Sequence, residues 1–199
     1  AIDWLERATE AGLGVPQLLE NDAQLEGVRG DSRFVAVLQA ARRNAQPCEY
    51  DERYRQWDFW LGEWNVYNAQ GTLVGTNKIE KIANGCALLE SWVSANGAPG
   101  NSINFYDAAE DVWRQYWVSS NGGMIPQEGE FRDGSMHMEG RNIAPYGSYE
   151  LFRGTWTPLE DGRVRQLLEQ SNDAGETWYT WFEGFYEPKE TSQSSSADE

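Results

Sequence analysis

From residue 57 onward, turn-forming residues recur every ~8–14 positions, and this rhythm restricts the chain more than any other feature. The turns are NAQG at 68–71, NG at 84–85 and 96–97, DAAED at 107–111, NGG at 121–123, DG at 133–134, APYG at 144–147, EDG at 160–162 and NDAG at 172–175. Between them lie ten strand-length runs: 58–67, 72–83, 86–95, 101–106, 112–119, 124–132, 135–142, 148–157, 163–171 and 177–187. Parallel strands need long crossovers, and these links are too short for that, so neighbouring runs pair as antiparallel hairpins. A meander of that many strands closes most economically on itself, because closure removes the unpaired edges. The predicted fold is mainly β: an up-and-down antiparallel barrel of about 8–10 strands, preceded by a small helical module.

Residues 1–56 have a different period. Trp4, Leu5, Ala8 and Ala11 are spaced for one face of a helix that GLGVP stops. Leu18, Leu19, Leu25 and Val28 suit a second helix. Asp31 or Ser32 caps a third, with Phe34, Val37, Leu38 and Ala41 as its buried face, and Pro47 ends it. AIDWLERATEAG resembles one helix of a tetratricopeptide-type repeat, but a single unit makes no array. The expected organisation is a helical module over 1–56 packed on the barrel, a barrel over 57–188, and a disordered acidic tail over 189–199.

The charge balance is 16 cationic against 32 acidic side chains, a net charge of −16. That disfavours nucleic acid and anionic lipid as partners, since both require a basic surface. No apolar run approaches the roughly 20 residues of a membrane span. No signal peptide is visible and the chain starts at Ala1, so a periplasmic, secreted or cytoplasmic location stays open for a soluble protein. Cys48 and Cys86 are too far apart for a CxxC motif, and form either one disulfide or two buried thiols.

The barrel begins with WDFWLGEWNVY, in which Gly62-Glu63-Trp64 opens the first run. This G-x-W resembles the first-strand motif of the calycin superfamily: lipocalins, fatty-acid-binding proteins and nitrobindin-like barrels. The wider pattern FWLGEW, GCALLESW, WRQYWV and GRVRQLLEQS, over residues 57 to 187, resembles a calycin-like bacterial domain that sometimes follows helical repeats. The resemblance implies a barrel with a cavity, a Trp closing one end, and a late-strand Arg over that Trp, here Arg153 or Arg165. Nitrobindin-like barrels hold haem on a histidine near the C-terminus. The lone histidine here, His137, sits at the seventh run instead, and no His/Cys cluster has metal-ligand spacing, so neither cofactor nor metal is expected.

SNDAGETW at 171–178 matches the Asp-box of sialidase propellers, but one copy makes no propeller, and the turn chemistry reads as a hairpin brace. Ser-His-Asp catalysis lacks a GxSxG elbow. Alternation groups the side chains of each run into two faces, yet several runs are aromatic on both, so the inner face stays open. The set Glu90, Trp92, Gln115 and Trp117 has the mixture of a ligand pocket, aromatic walls with few polar groups. Arg153, Gln166 and Trp181 are further candidate ligand contacts, and Glu90 and Glu169 candidate proton-transfer carboxylates. Three functions follow. The first is a binding barrel for a small apolar or aromatic molecule. The second is a metal-independent lyase, isomerase or cyclase using a buried carboxylate. The third is a protein-interaction domain, with a homodimer as one form.

Overall fold

A computed structural model describes residues 1–189; of the expected tail over 189–199, residues 190–199 lie outside the described residues. The chain divides into two compact units, Ala1–Arg55 with Asn84–Cys86, and Gln56–Ala83 with the chain from Ala87 on.

The first unit holds four α-helices: α1 (Ile2–Glu10), α2 (Pro16–Asn21), α3 (Ser32–Ala45) and α4 (Pro47–Tyr50). Two short 3-10 segments, Ala23–Val28 and Glu52–Arg55, complete it. Ile2, Leu19, Phe34, Val37 and Ala41 form its core, with Leu5, Leu13, Leu25, Val28 and Leu38 packed around them. Asp31 caps α3 by accepting from the Arg33 backbone N–H at 2.8 Å. Asn44 on α3 donates to the carbonyls of Thr9 (2.7 Å) and Leu13 (3.1 Å), which ties the end of α1 and the segment after it to α3. Two residues expected on buried faces are out in solvent: Trp4 is 72% and Leu18 66% exposed. The phase of α1 is set by Ile2 and Thr9 instead. Pro47 does not end the unit but opens α4, where its missing N–H costs nothing. Cys48 on α4 is disulfide-bonded to Cys86. Closing a loop of 38 residues removes unfolded-chain entropy worth about 4 kcal/mol.

The second unit is a closed antiparallel barrel of ten strands. They are β1 (Gly62–Tyr67), β2 (Leu73–Ile82), β3 (Ala87–Ser94), β4 (Pro99–Asp107), β5 (Val112–Ser119), β6 (Met124–Arg132), β7 (Ser135–Ile143), β8 (Tyr149–Pro158), β9 (Val164–Ser171) and β10 (Tyr179–Pro188). Each pairs with the next, and β1 closes on β10 with Trp64 opposite Pro188 and Tyr67 opposite Phe185. The turns do what their residues dictate: at the β6–β7 hairpin Asp133 and Gly134 both take positive φ, 51° and 76°, the geometry of a type I′ turn.

The first strand starts later than its run suggests. Trp57, Trp60 and Trp64 are three and four residues apart, a helical spacing that no strand face can follow. Asp58–Trp60 accordingly forms a 3-10 turn, and the strand begins at Gly62. Gly62 has φ +132°, which a side chain would resist, and it is the point where the chain leaves the turn for the sheet.

Candidate functional site

One end of the barrel is filled by tryptophan. Trp57 and Trp60 are fully buried and stack with centroids 5.4 Å apart. Trp57 meets Trp113 and Trp156 edge to face at 5.5 and 5.2 Å. Trp64 donates its indole N–H to the Trp60 carbonyl at 3.0 Å and packs edge-on against Tyr186. Gln56 receives the Trp113 N–H at 2.9 Å. The expected arginine over Trp64 is not Arg153 or Arg165. Both sit on the outer face of the sheet, Arg153 on Glu169 (2.7 Å) and over the Trp178 ring, Arg165 on Glu183. The phase of β8 and β9 decides this: Phe152, Trp156, Val164, Gln166 and Leu168 are the buried set, so the arginines between them point out.

Beyond this plug the barrel keeps an internal cavity of about 130 Å³. Its floor is Trp156, Tyr186 and Phe152, and its walls are Trp92, Trp117 and Phe182. Trp181 stands half exposed at the rim. The cavity brings together Glu90, Trp92, Gln115, Trp117, Gln166 and Trp181 from the candidate set, and leaves Arg153 and Glu169 outside as an ion pair. Trp181 and Phe182 are consecutive yet both reach the cavity because β10 carries a register shift between Thr180 and Phe182. After it, Gly184 and Tyr186 follow Phe182 inward, so strict alternation from Tyr179 misplaces the strand.

The lumen is open because its large rings lie over glycines. A Cβ on Gly100 would sit 2.2 Å from Cζ2 of Trp117, and one on Gly75 would sit 2.5 Å from the ring of Trp92. The same relation holds for Gly154 with Trp156 and Gly184 with Phe182. Each indole or phenyl thus takes the wall space of a missing side chain, and the volume in front of it stays free.

The polar lining residues Glu90, Gln115, Gln127, Gln166 and Tyr186 are joined through Asn77, Ser102 and Asn104 into a continuous hydrogen-bonded girdle. Gln127 on β6 donates to Gln115 on β5 (2.6 Å), and Gln115 to Asn104 on β4 (2.6 Å). Asn104 donates to Ser102 (2.9 Å), and Ser102 to Oε2 of Glu90 on β3 (2.6 Å). From the other side Asn77 on β2 donates to Oε1 of Glu90 (2.7 Å) and, at 3.3 Å, to the Tyr186 hydroxyl. Tyr186 donates to Gln166 on β9 at 2.7 Å. Two acceptors in this set, Gln127 Oε1 and Asn77 Oδ1, are buried with no partner.

Neither a family model nor a curated protein matches this chain.

Glu90 is the centre of the electrostatics. Burial pushes its carboxyl up from 4.5 to about 7, against the opposing pull of the hydrogen bonds from Ser102 and Asn77. Burial, and then the charge of Glu90, push the Tyr186 phenol well above 10, so it stays a neutral donor. The sequence reading missed Asn77, Ser102, Asn104, Gln127 and Tyr186. Each has the strand phase of a cavity residue, but on β4 Ser102 and Asn104 are buried while Ile103 is 46% exposed, an inverted alternation that periodicity alone does not reveal.

The other motifs are structural. In the 171–178 hairpin Asp173 accepts from Ser171 (2.7 Å) and the Thr177 N–H (2.9 Å), and also from the Thr177 hydroxyl. These bonds hold its pKa down at about 2. Trp178 donates to the Gly175 carbonyl at 3.2 Å and completes the brace. His137 is on the outward phase of β7, with Thr155 as its ring neighbour. No group of three or more metal-ligating side chains occurs among the described residues, and no described helix is long and apolar enough to cross a membrane.

Proposed function

We propose that this is a small-molecule-binding barrel of the calycin kind, whose ligand is about the size of a single aromatic ring. The observation that carries the reading is the cavity, in which aromatic walls set on glycines surround a buried carboxylate and amides. A void of about 150 Å³ lined by apolar groups accommodates benzene, and this one is of that order. The aromatic walls supply contact area, while Glu90, Gln115 and Gln166 orient a polar group. A ligand of so few atoms binds with about −4 to −8 kcal/mol, a Kd from roughly millimolar to micromolar.

Tryptophan emission reports occupancy directly, because Trp92, Trp117, Trp156 and Trp181 line the space. Single-ring compounds should quench or shift the emission saturably, and Trp117→Ala should weaken the response. Native mass spectrometry of protein from its own host should show a small retained molecule. A panel that gives neither emission change nor thermal shift would remove the reading.

One observation favours a second use of the same cavity. A carboxyl near pKa 7 inside an aromatic pocket is suited to take a proton from a bound molecule and return it. Glu169, ion-paired outside, drops out of this reading, so the chemistry would be that of a single acid–base group. Turnover of a bound single-ring compound that disappears in Glu90→Gln would establish it.

A further inference from the structure

We propose that the cavity is selective for small organic cations, protonated amines or quaternary ammonium groups, with Glu90 as the counter-charge. This rests on the binding reading above and names the ligand class. Four observations lead to it.

First, among the described residues Glu90 is the only charged side chain that lines the cavity; no described Lys, Arg or His does. Its two hydrogen-bond partners, Asn77 and Ser102, are neutral donors, so an ionised Glu90 has no counter-charge within the barrel lining. Second, the walls are indoles and phenyls, and a cation over such rings is attracted by their quadrupoles, most strongly by Trp. Third, the unpartnered polar atom on Gln127 is an acceptor, and a second, Asn77 Oδ1, belongs to the residue bonded to Glu90. The N–H of a protonated amine satisfies such atoms, as a hydroxyl does, and an anion or a carbonyl does not; a quaternary ammonium relies on Glu90 and the rings alone. Unpartnered donors are the indole N–H groups of Trp57 and Trp60 in the plug and of Trp156, which both lines the cavity and meets Trp57 edge to face. Fourth, the chain carries a net charge of −16, a field that concentrates cations near the mouth and repels anions.

Apolar neutral ligands fit the same volume but leave Glu90 desolvated, and they gain nothing from its charge. Binding of a cation holds Glu90 ionised. The groups facing it are Asn77 from β2, Ser102 from β4 and Tyr186 from β10, and of these only Tyr186 titrates, well above 10. Affinity for a non-titrating cation therefore follows Glu90 alone, rising by on the order of a hundredfold between pH 5 and pH 8.

The test is calorimetric titration of the wild-type protein with benzylamine, benzyl alcohol and benzoate, which share a ring and differ in charge. Benzylamine should bind at least about tenfold tighter than benzyl alcohol, with benzoate weakest. Glu90→Gln should abolish the amine preference, with benzylamine falling to the affinity of benzyl alcohol, and its circular dichroism and thermal unfolding report that the variant is folded. Tetramethylammonium titrated from pH 5 to pH 8 on the wild type decides the matter without any variant. Equal affinity for amine and alcohol, or a flat pH series, overturns cation selectivity while leaving a binding barrel. No binding by any of the four probes overturns both.

Discussion

The two ends of the barrel are built from the same residue and do opposite things with it. At the plug, Trp57, Trp60, Trp113 and Trp156 pack ring against ring, and the space is consumed. At the cavity, Trp92 and Trp117 lie against Gly75 and Gly100, and the space is kept. What differs is the neighbour on the adjoining strand. An indole facing another indole fills a barrel; an indole resting on a glycine becomes wall. Trp156, which meets Trp57 and Trp60 and also lies over Gly154, is where plug and cavity floor join. Tryptophan content alone therefore says nothing about whether a barrel is hollow.

The largest effect should come from breaking the filled end. Trp60→Ala should cost about 3–5 kcal/mol of unfolding free energy, since it removes a fully buried ring from a packed cluster. Trp117→Ala should cost clearly less by denaturant titration, because half of its surroundings is already open. Equal losses at the two sites would abolish the distinction.

The second effect is confined to the hollow end, where Glu90 titrates. Its pKa is raised on folding, so the stability it contributes is complete below about pH 4.5 and is lost as pH rises through about 7. The shift corresponds to about 3 kcal/mol across that window. Glu90→Gln should flatten the stability profile there, and denaturation midpoints from pH 4.5 to pH 8 measure it. Asp107, Asp161 and Asp173, with lowered pKa values, act at lower pH and do not overlap this window.

The third exchanges one end's behaviour for the other's. Gly100→Ala places a methyl where the Trp117 ring now lies, and the ring's free direction is the lumen. Ligand binding should fall by tenfold or more, with about 1–2 kcal/mol of destabilisation. Retained affinity would mean that the ring moves elsewhere. The smallest effect belongs outside the barrel: Arg153→Ala breaks a half-buried pair with Glu169 and a stacking contact with Trp178 on the outer face, and should change stability by about 1 kcal/mol and binding not at all.

Strand positions were legible in the sequence because turn chemistry is local: NAQG, DG and EDG each fix a reversal whatever surrounds them. The closed antiparallel barrel followed from the shortness of the links. Which face looks inward was not legible, because β5 and β10 carry rings on both faces and nothing local separates a wall from a surface. Arg153 and Glu169 seemed equivalent to Gln166 until the phase of β8 and β9 separated them. Trp57, Trp60 and Trp64 show the reverse case. Their spacing of three and four was a readable helical signal, and the turn at Asp58–Trp60 obeys it.

The girdle around the lumen has a direction. An ionised carboxylate can only accept, so Ser102 must point its proton at Glu90, Asn104 must present its NH₂ to Ser102, and Gln115 and Gln127 must follow in the same sense. The bare oxygen at Gln127 is the far end of that sequence. A single negative charge on β3 thus decides which atom a glutamine on β6 shows to the cavity, and neutralising it frees every amide between them to turn around.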